Sequence, residues 1–248
     1  MTDVLLGDDD SAGADLAWLW VNAQRWDGAH LTVLRAEPPH IGEQGDGSGP
    51  HPVPAWREAL ESSGFAEVSF CVAASDPRLA LASSDVDLIV VGPAASGSGP
   101  RHLGSTTEWL LHDPPSPVAL ARRGKTVHRA VVCADGSAEA TSAASSLASL
   151  PWAGSLEVEV VSVEDGRTDP DTAIEPIAAV LRAVGATVTP TLLKGRKAHR
   201  EILAHLDASA VDLVVLGTHG LGTLRRLTLG STASAVSRLA PCSVLISS

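Results

Sequence analysis

Val211-Asp212-Leu213-Val214-Val215-Leu216-Gly217 restates, almost residue for residue, a stretch met 125 positions earlier, Val86-Asp87-Leu88-Ile89-Val90-Val91-Gly92. In both, a short run that is apolar at every position ends on glycine. A half-exposed strand would alternate apolar and polar residues. A solidly apolar one suits a parallel sheet covered on both faces. Working outward, Gly7-Asp8-Asp9-Asp10-Ser11 has a counterpart in Cys133-Ala134-Asp135-Gly136-Ser137, at an offset of 126. Trp26 and Trp152 keep that offset, as do Gly104-Ser105-Thr106 and Gly230-Ser231-Thr232, and Pro115 pairs with Pro241. Anchors at near-constant spacing identify a tandem duplication. Its seam falls near Arg122–Lys125, which predicts two domains, 1–124 and 125–248. The 248 residues suit two such units.

Each unit reads as alternating strand and helix. In the first, strands are expected at 4–6, 31–34, 68–72, 87–91 and 118–121. Helices are expected after a Ser11 cap, near 55–63, at 76–83 and from Ser105, with a mobile loop at 37–55. The second repeats the order, with strands at 130–133, 158–163, 187–192, 213–216 and 244–246. Its helices are expected at 138–150, 171–184, 198–206 and 231–239. This alternation predicts parallel βαβ units and hence two doubly wound α/β domains. A repeat also puts two equivalent surfaces on one chain, so the halves are expected to pack as an intramolecular pseudo-dimer, with a homodimer a further option.

Composition narrows the function. Apolar residues make up 44% and charged residues 19%, enough for a sizeable core, and aromatics only 3%, so that core is aliphatic. The formal charge of −11, with no block of Lys/Arg, argues against nucleic acid or an anionic membrane as partner. Three scattered cysteines, with no CxxC pair, argue against a disulfide scaffold or a cysteine-based zinc site. Neither a signal peptide nor a run of about 18 apolar residues is present, so a soluble, cytoplasmic protein is expected.

The chemistry is expected in Gly217-Thr218-His219-Gly220-Leu221-Gly222-Thr223-Leu224-Arg225-Arg226-Leu227-Thr228-Leu229-Gly230-Ser231-Thr232. A strand ends at Gly217, a glycine-punctuated loop follows, and a helix opens at Ser231. Glycines let backbone N–H groups approach an anion, and the helix start adds unpaired donors and the positive end of the dipole. At the carboxyl edge of a parallel sheet, this is a phosphate cradle where such folds bind ligands. Glycines placed only for tight turning are the alternative.

The spacing Gly217-x2-Gly220-x9-Gly230-Ser231 resembles the nucleotide-binding pattern of the universal stress protein family. So do Val131–Ser137 and Ala240-Pro241-Cys242-Ser243-Val244-Leu245-Ile246. The resemblance covers the whole chain as a tandem of two such domains and is strongest in the second. It implies a Rossmann-like, adenine nucleotide alpha hydrolase-like fold, with five parallel strands ordered 3-2-1-4-5 and the nucleotide across strands 1 and 4. It further implies that Asp135 binds ribose, that the Val163 backbone meets adenine, and that Leu216, Gly217 and Gly220 line ribose and phosphates. Gly230, Ser231 and Thr232 would hold the terminal phosphates, with ATP and Mg²⁺ as cofactors. Asp135 in Asp-Gly-Ser is equally suited to a turn before a helix cap. Arg225 and Arg226 are candidates to neutralise phosphate. His219, with no partner evident in sequence, is not expected to be catalytic, and neither a metal cluster nor a base–nucleophile pair is evident.

The first half departs from this pattern. Asp9, Gly92, Gly104, Ser105 and Thr106 make a second candidate site, but Ala95 replaces the second glycine, one residue is missing before Gly104, and Ala36 stands where Val163 stands. The expected function is an ATP-binding stress-response module that passes its state to a regulatory partner, with little or no turnover. A slow ATP hydrolase or adenylate-transferring enzyme, and an interaction scaffold without nucleotide, are the alternatives.

Overall fold

Apolar residues in the strands alternate between two faces, and that alternation builds the molecule. Val4, Leu6, Leu88, Val90, Leu213 and Val215 enter one buried cluster, while Leu5, Ile89, Val91, Val214 and Leu216 enter the other. The computed structural model describes residues 1–37, 60, 63–93, 103–164, 169–220 and 229–248. Its strands are β1 (Asp3–Asp8), β2 (His30–Ala36), β3 (Glu67–Ala73), β4 (Leu88–Val91), β5 (Val118–Leu120), β6 (Arg129–Cys133), β7 (Glu157–Glu164), β8 (Thr187–Lys194), β9 (Leu213–Gly217) and β10 (Ser243–Ser247). Its helices are α1 (Ala12–Ala23), α2 (Pro77–Ala82), α3 (Ser105–His112), α4 (Ala138–Ala148), α5 (Pro170–Ala183), α6 (Ala198–Ala208) and α7 (Ser231–Leu239). The expected loop at 37–55 and most of the expected helix at 55–63 lie outside the described residues; Leu60 of that helix is described, helical and fully buried.

All ten strands form one sheet, ordered β3-β2-β1-β4-β5-β10-β9-β6-β7-β8. Each half is parallel and ordered 3-2-1-4-5, as expected. The halves join through their last strands, which pair antiparallel: Val244 opposite Leu120, Leu245 opposite Ala119, and Ile246 opposite Val118. Pro190 interrupts β8 without cost to the interior, because β8 is an edge strand and a missing N–H is tolerated there.

Helices cover both faces. Trp18, Trp20 and Val21 of α1, Ala143 and Leu147 of α4 and Ile177 and Leu181 of α5 share one cluster. Leu81 of α2, Leu110 of α3, Ile202 of α6 and Val236 of α7 share the other. Both clusters run through both halves. Across the first, Trp20 and Trp26 meet Trp152 edge-on, with centroids 6.0 and 6.1 Å apart. The offset pair Trp26 and Trp152 is therefore a contact between the repeats. Beside it, buried Gln24 donates from Nε2 to the Trp20 and Lys125 carbonyls and accepts from Val127 N. The seam segment is thus held by a side chain of the first half.

Asp212 ties the start of the second half together. Its Oδ2 accepts from the backbone N–H groups of His128 and Arg129 at 2.9 and 3.0 Å, and its Oδ1 meets Lys125 Nζ. Asp87, its repeat partner, accepts from Asp3 N in the same manner. Burial alone would raise the Asp212 carboxyl, but the Lys125 contact and the two backbone donors win and hold it below the usual carboxylate range. A folded-state pKa below the unfolded one gives stability that is fully present above the unfolded carboxylate pKa of about 4 and is lost as pH falls from there through the folded pKa. Asp212→Ala is therefore expected to lose about 1–3 kcal/mol at pH 7, since two part-buried hydrogen bonds to a charged acceptor are lost. The deficit should begin to shrink below about pH 4, where the unfolded carboxylate takes up its proton. It should close as pH falls through the lower folded pKa, where the native carboxylate is protonated too. Urea midpoints from pH 3 to pH 7 measure this, and a pH-independent difference would contradict it.

A cleft over the second half and its counterpart over the first

The turn after β6 sets the main site. Gly136 takes a left-handed φ of 81°, which turns the chain so that Ser137 can cap α4, its hydroxyl accepting from Ala140 N at 3.1 Å. The same turn aims Asp135 back at Ser137, whose N–H and hydroxyl both donate to Asp135 Oδ1, at 3.0 and 2.6 Å. The two readings of Asp135 are therefore compatible: one carboxylate oxygen closes the turn, and the residue lines a cleft.

That cleft, of about 370 Å³, lies over the carboxyl ends of β6, β7 and β9. Eight of the residues expected from sequence for the second half line it: Asp135, Val163, Leu216, Gly217, Gly220, Gly230, Ser231 and Thr232. Gly230 occupies the cap position of α7 with no side-chain cap, so the first N–H groups of a nine-residue helix open toward the cleft beside the Ser231 and Thr232 hydroxyls. Gly230 N itself donates to the Thr218 carbonyl at 2.8 Å, which pins the helix start to the end of β9. His219 lies beside this bond, its Nδ1 3.1 Å from the Thr218 hydroxyl. Cys133 also lines the cleft, but burial pushes its thiol well above the ordinary range, so it stays protonated and is no nucleophile.

The glycines carry packing roles that the sequence reading did not include. A Cβ on Gly217 would sit 2.7 Å from the Glu139 carbonyl carbon, inside the first turn of α4. Gly92 has the same role against α1, where a Cβ would lie 1.9 Å from the Gly13 carbonyl oxygen. These two glycines permit a helix to approach the sheet, and that requirement comes before any ligand. At Gly220 a Cβ would fall 2.4 Å from Asp135 Oδ2, so this glycine makes room for the carboxylate. Arg225 and Arg226 lie outside the described residues.

Sequence reasoning passed over Arg196, Lys197 and His199, which form the opposite wall of the cleft at the start of α6. The signal was the run Lys194-Gly195-Arg196-Lys197-Ala198-His199-Arg200 in an otherwise acidic chain. Arg196 and Lys197 are exposed and form no ion pair with a described residue, and Lys197 at the head of α6 makes no side-chain cap. The wall thus offers positive charge and unpaired N–H donors to one volume.

The first half has the counterpart cleft, of about 280 Å³, lined by Asp9, Gly92, Gly104, Ser105 and Thr106 as expected. Its walls differ. Asp8 and Asp9 line it, and the described lining includes no Lys, Arg or His. Ala95 and Pro100, on which the sequence contrast between the halves rested, lie outside the described residues.

The family model described as the universal stress protein family matches residues 171–248. Residues 171–248 are thus similar to the universal stress protein family. Universal stress protein Slr1230 of Synechocystis is 28% identical over 166 residues, covering 65% of this chain and 58% of that protein. Universal stress protein YxiE of Bacillus subtilis is 44% identical over 52 residues, 21% of this chain and 34% of that one. The chain thus spans less than two thirds of the length of either relative. A universal stress protein crystal structure from Archaeoglobus fulgidus superposes with a TM-score of 0.74 at 23% identity, covering 99% of this chain and 97% of that one, which is a likeness of fold. The matched segment 171–248 holds the basic wall, β9 and the α7 start, and so contributes most of the second cleft.

Proposed function

We propose that the second half binds ATP and that the chain acts as a nucleotide-dependent stress-response module with little or no turnover, read by a regulatory protein partner. The observation that carries this is the convergence on one cleft of a ribose-competent carboxylate, an open helix start bearing two hydroxyls, and a wall of Arg196, Lys197 and His199. A triphosphate needs N–H donors and positive charge, and a ribose needs an acceptor; all three stand within one volume of drug-site size. Mg²⁺ keeps most of its waters and binds chiefly through phosphates, so the Ser231 and Thr232 hydroxyls suit a metal carried in by the nucleotide. Hydrolysis asks for more: an oriented water and stabilisation of transition-state charge. The buried Cys133 thiol is unsuited to that work, and His219 is engaged with the Thr218 hydroxyl.

The test is calorimetric titration of ATP with Mg²⁺ into the intact chain, with phosphate release followed in parallel. One site per chain and turnover slower than about 1 per second are expected. Two equal sites, no binding, or turnover at ordinary enzymatic rates would each overturn part of this reading.

A further inference from the structure

Among the described residues, the first cleft differs from the second in the sign of its charge. Where the second turn reads Ala134-Asp135-Gly136, the first reads Asp8-Asp9-Asp10. Asp10 adopts the left-handed φ of 56° that Gly136 adopts in the repeat, and its carboxylate is 2.5 Å from Arg35. The same Arg35 nitrogen lies 2.6 Å from Asp8. One guanidinium therefore serves two carboxylates, and Asp9 adds a third to the same turn. The open start of α3 at Gly104 offers only roughly half a unit of positive charge against that excess.

The helix after the third strand completes the contrast. Where Lys197 heads α6 uncapped, Asp76 heads α2 and caps it, accepting from Arg78 N at 2.9 Å and from its guanidinium at 2.7 Å. Hydrogen bonds from Arg78 hold the Asp76 carboxyl down at about 2, so it remains an anion and keeps both groups occupied. What remains for a ligand is Asp9, whose Oδ1 accepts from Ser11 N at 3.1 Å as Asp135 does from Ser137 N. Beside it lies an apolar slot of Leu34, Ala36, Pro77, Leu81 and Val91.

We propose that the first cleft takes an uncharged nucleoside, with its ribose hydroxyls on Asp9 and its base between Leu34, Ala36 and Leu81, and repels the phosphorylated forms. This rests on the reading above that the two clefts are nucleotide-type sites, and gives them different ligands. A carboxylate accepts from ribose hydroxyls whatever the phosphate count, whereas each added phosphate meets Asp8 and Asp9, both in the cleft lining, at short range.

Equilibrium dialysis of the full chain carrying Asp135→Ala, which disables the second cleft, against adenosine and against ATP tests it. One adenosine per chain is expected, with ATP at least about tenfold weaker. Adding Asp9→Ala or the near-isosteric Asp9→Asn should remove most adenosine binding. Replacing Asp8→Ala with Asp10→Gly frees Arg35 and should bring ATP affinity up to that of adenosine. ATP bound as tightly as adenosine by the Asp135→Ala chain, no adenosine bound, or adenosine bound equally after both Asp9 substitutions would overturn the proposal. ATP dialysed against the Asp9→Ala chain reads the second cleft alone: no binding there would sink the function proposed above and leave the first-cleft result standing.

Discussion

Gly230→Val should weaken ATP binding by about a hundredfold or more while leaving the fold intact. The backbone at Gly230 is open to any residue, with φ of −56° and ψ of 149°, so left-handed strain has no part in the effect. Space decides it. A Cβ there would stand 3.0 Å from the Thr218 carbonyl oxygen, the acceptor of the bond from Gly230 N, and valine adds two methyl groups beyond it. The end of β9 and the start of α7 must move apart, and donors displaced by an ångström lose most of a charge-assisted hydrogen bond. Several such bonds lost together amount to about 3 kcal/mol, which is the hundredfold. Asp135→Ala should have a comparable effect through the ribose, and it also frees the Ser137 N–H that closes the turn. Calorimetry gives affinity and the thermal transition reports folding; Gly230→Val binding ATP within threefold of wild type would show that the α7 start holds no phosphate.

The second large effect concerns stability. Trp152→Ala is expected to cost about 3–5 kcal/mol, the range for deleting a large buried aromatic, and to lower Tm by roughly 10 °C. Trp152 is 6% exposed and stands edge-on to both Trp20 and Trp26, so its removal leaves a cavity between the repeats rather than inside one. Trp152→Phe should cost clearly less. It keeps a ring against the two neighbours, and the indole N–H it removes has no hydrogen-bond partner among the described residues. Differential scanning calorimetry of the two variants measures both. Equal losses would mean that the indole is held by its nitrogen and not by its faces.

Much of this was legible in the sequence because the signals were local. Leu88–Val91 and Leu213–Leu216 are apolar at every position, so both faces had to be covered, and the sheet order followed once the family resemblance was recognised. Ser11 and Ser137 were readable as caps because a hydroxyl before an apolar helix has few other uses. Gly217 and Gly92 were readable as cleft residues, and both line a cleft, but their packing constraint was not readable. Their constraint is the neighbouring helix backbone, a contact between residues 78 positions apart in the second half and 79 in the first, and spacing within a loop motif carries no information about it. Arg196, Lys197 and His199 went unread because they follow the third strand, away from the glycine pattern. Only the sheet order, which folds β8 and α6 over β7, brings them to the same cleft as Asp135. The charge contrast at Asp8, Asp9 and Asp10 was visible as letters, yet its meaning depends on Arg35 being shared by two of the three.

The antiparallel pairing of β5 with β10 has an outcome beyond holding the halves together. In an assembly of two identical chains related by a twofold axis, every substitution enters twice, and a change at the junction meets its own image. Here the two sides of the junction are separately encoded. Arg122 reaches the Ser237 carbonyl and Arg238 reaches Glu108, and neither contact obliges a twin on the other side. A mutation that alters one cleft or one flank of the seam leaves the other as it was. Covalent linkage thus releases each repeat from the symmetry of its partner, and three adjacent aspartates in one turn can coexist with a single aspartate in the other.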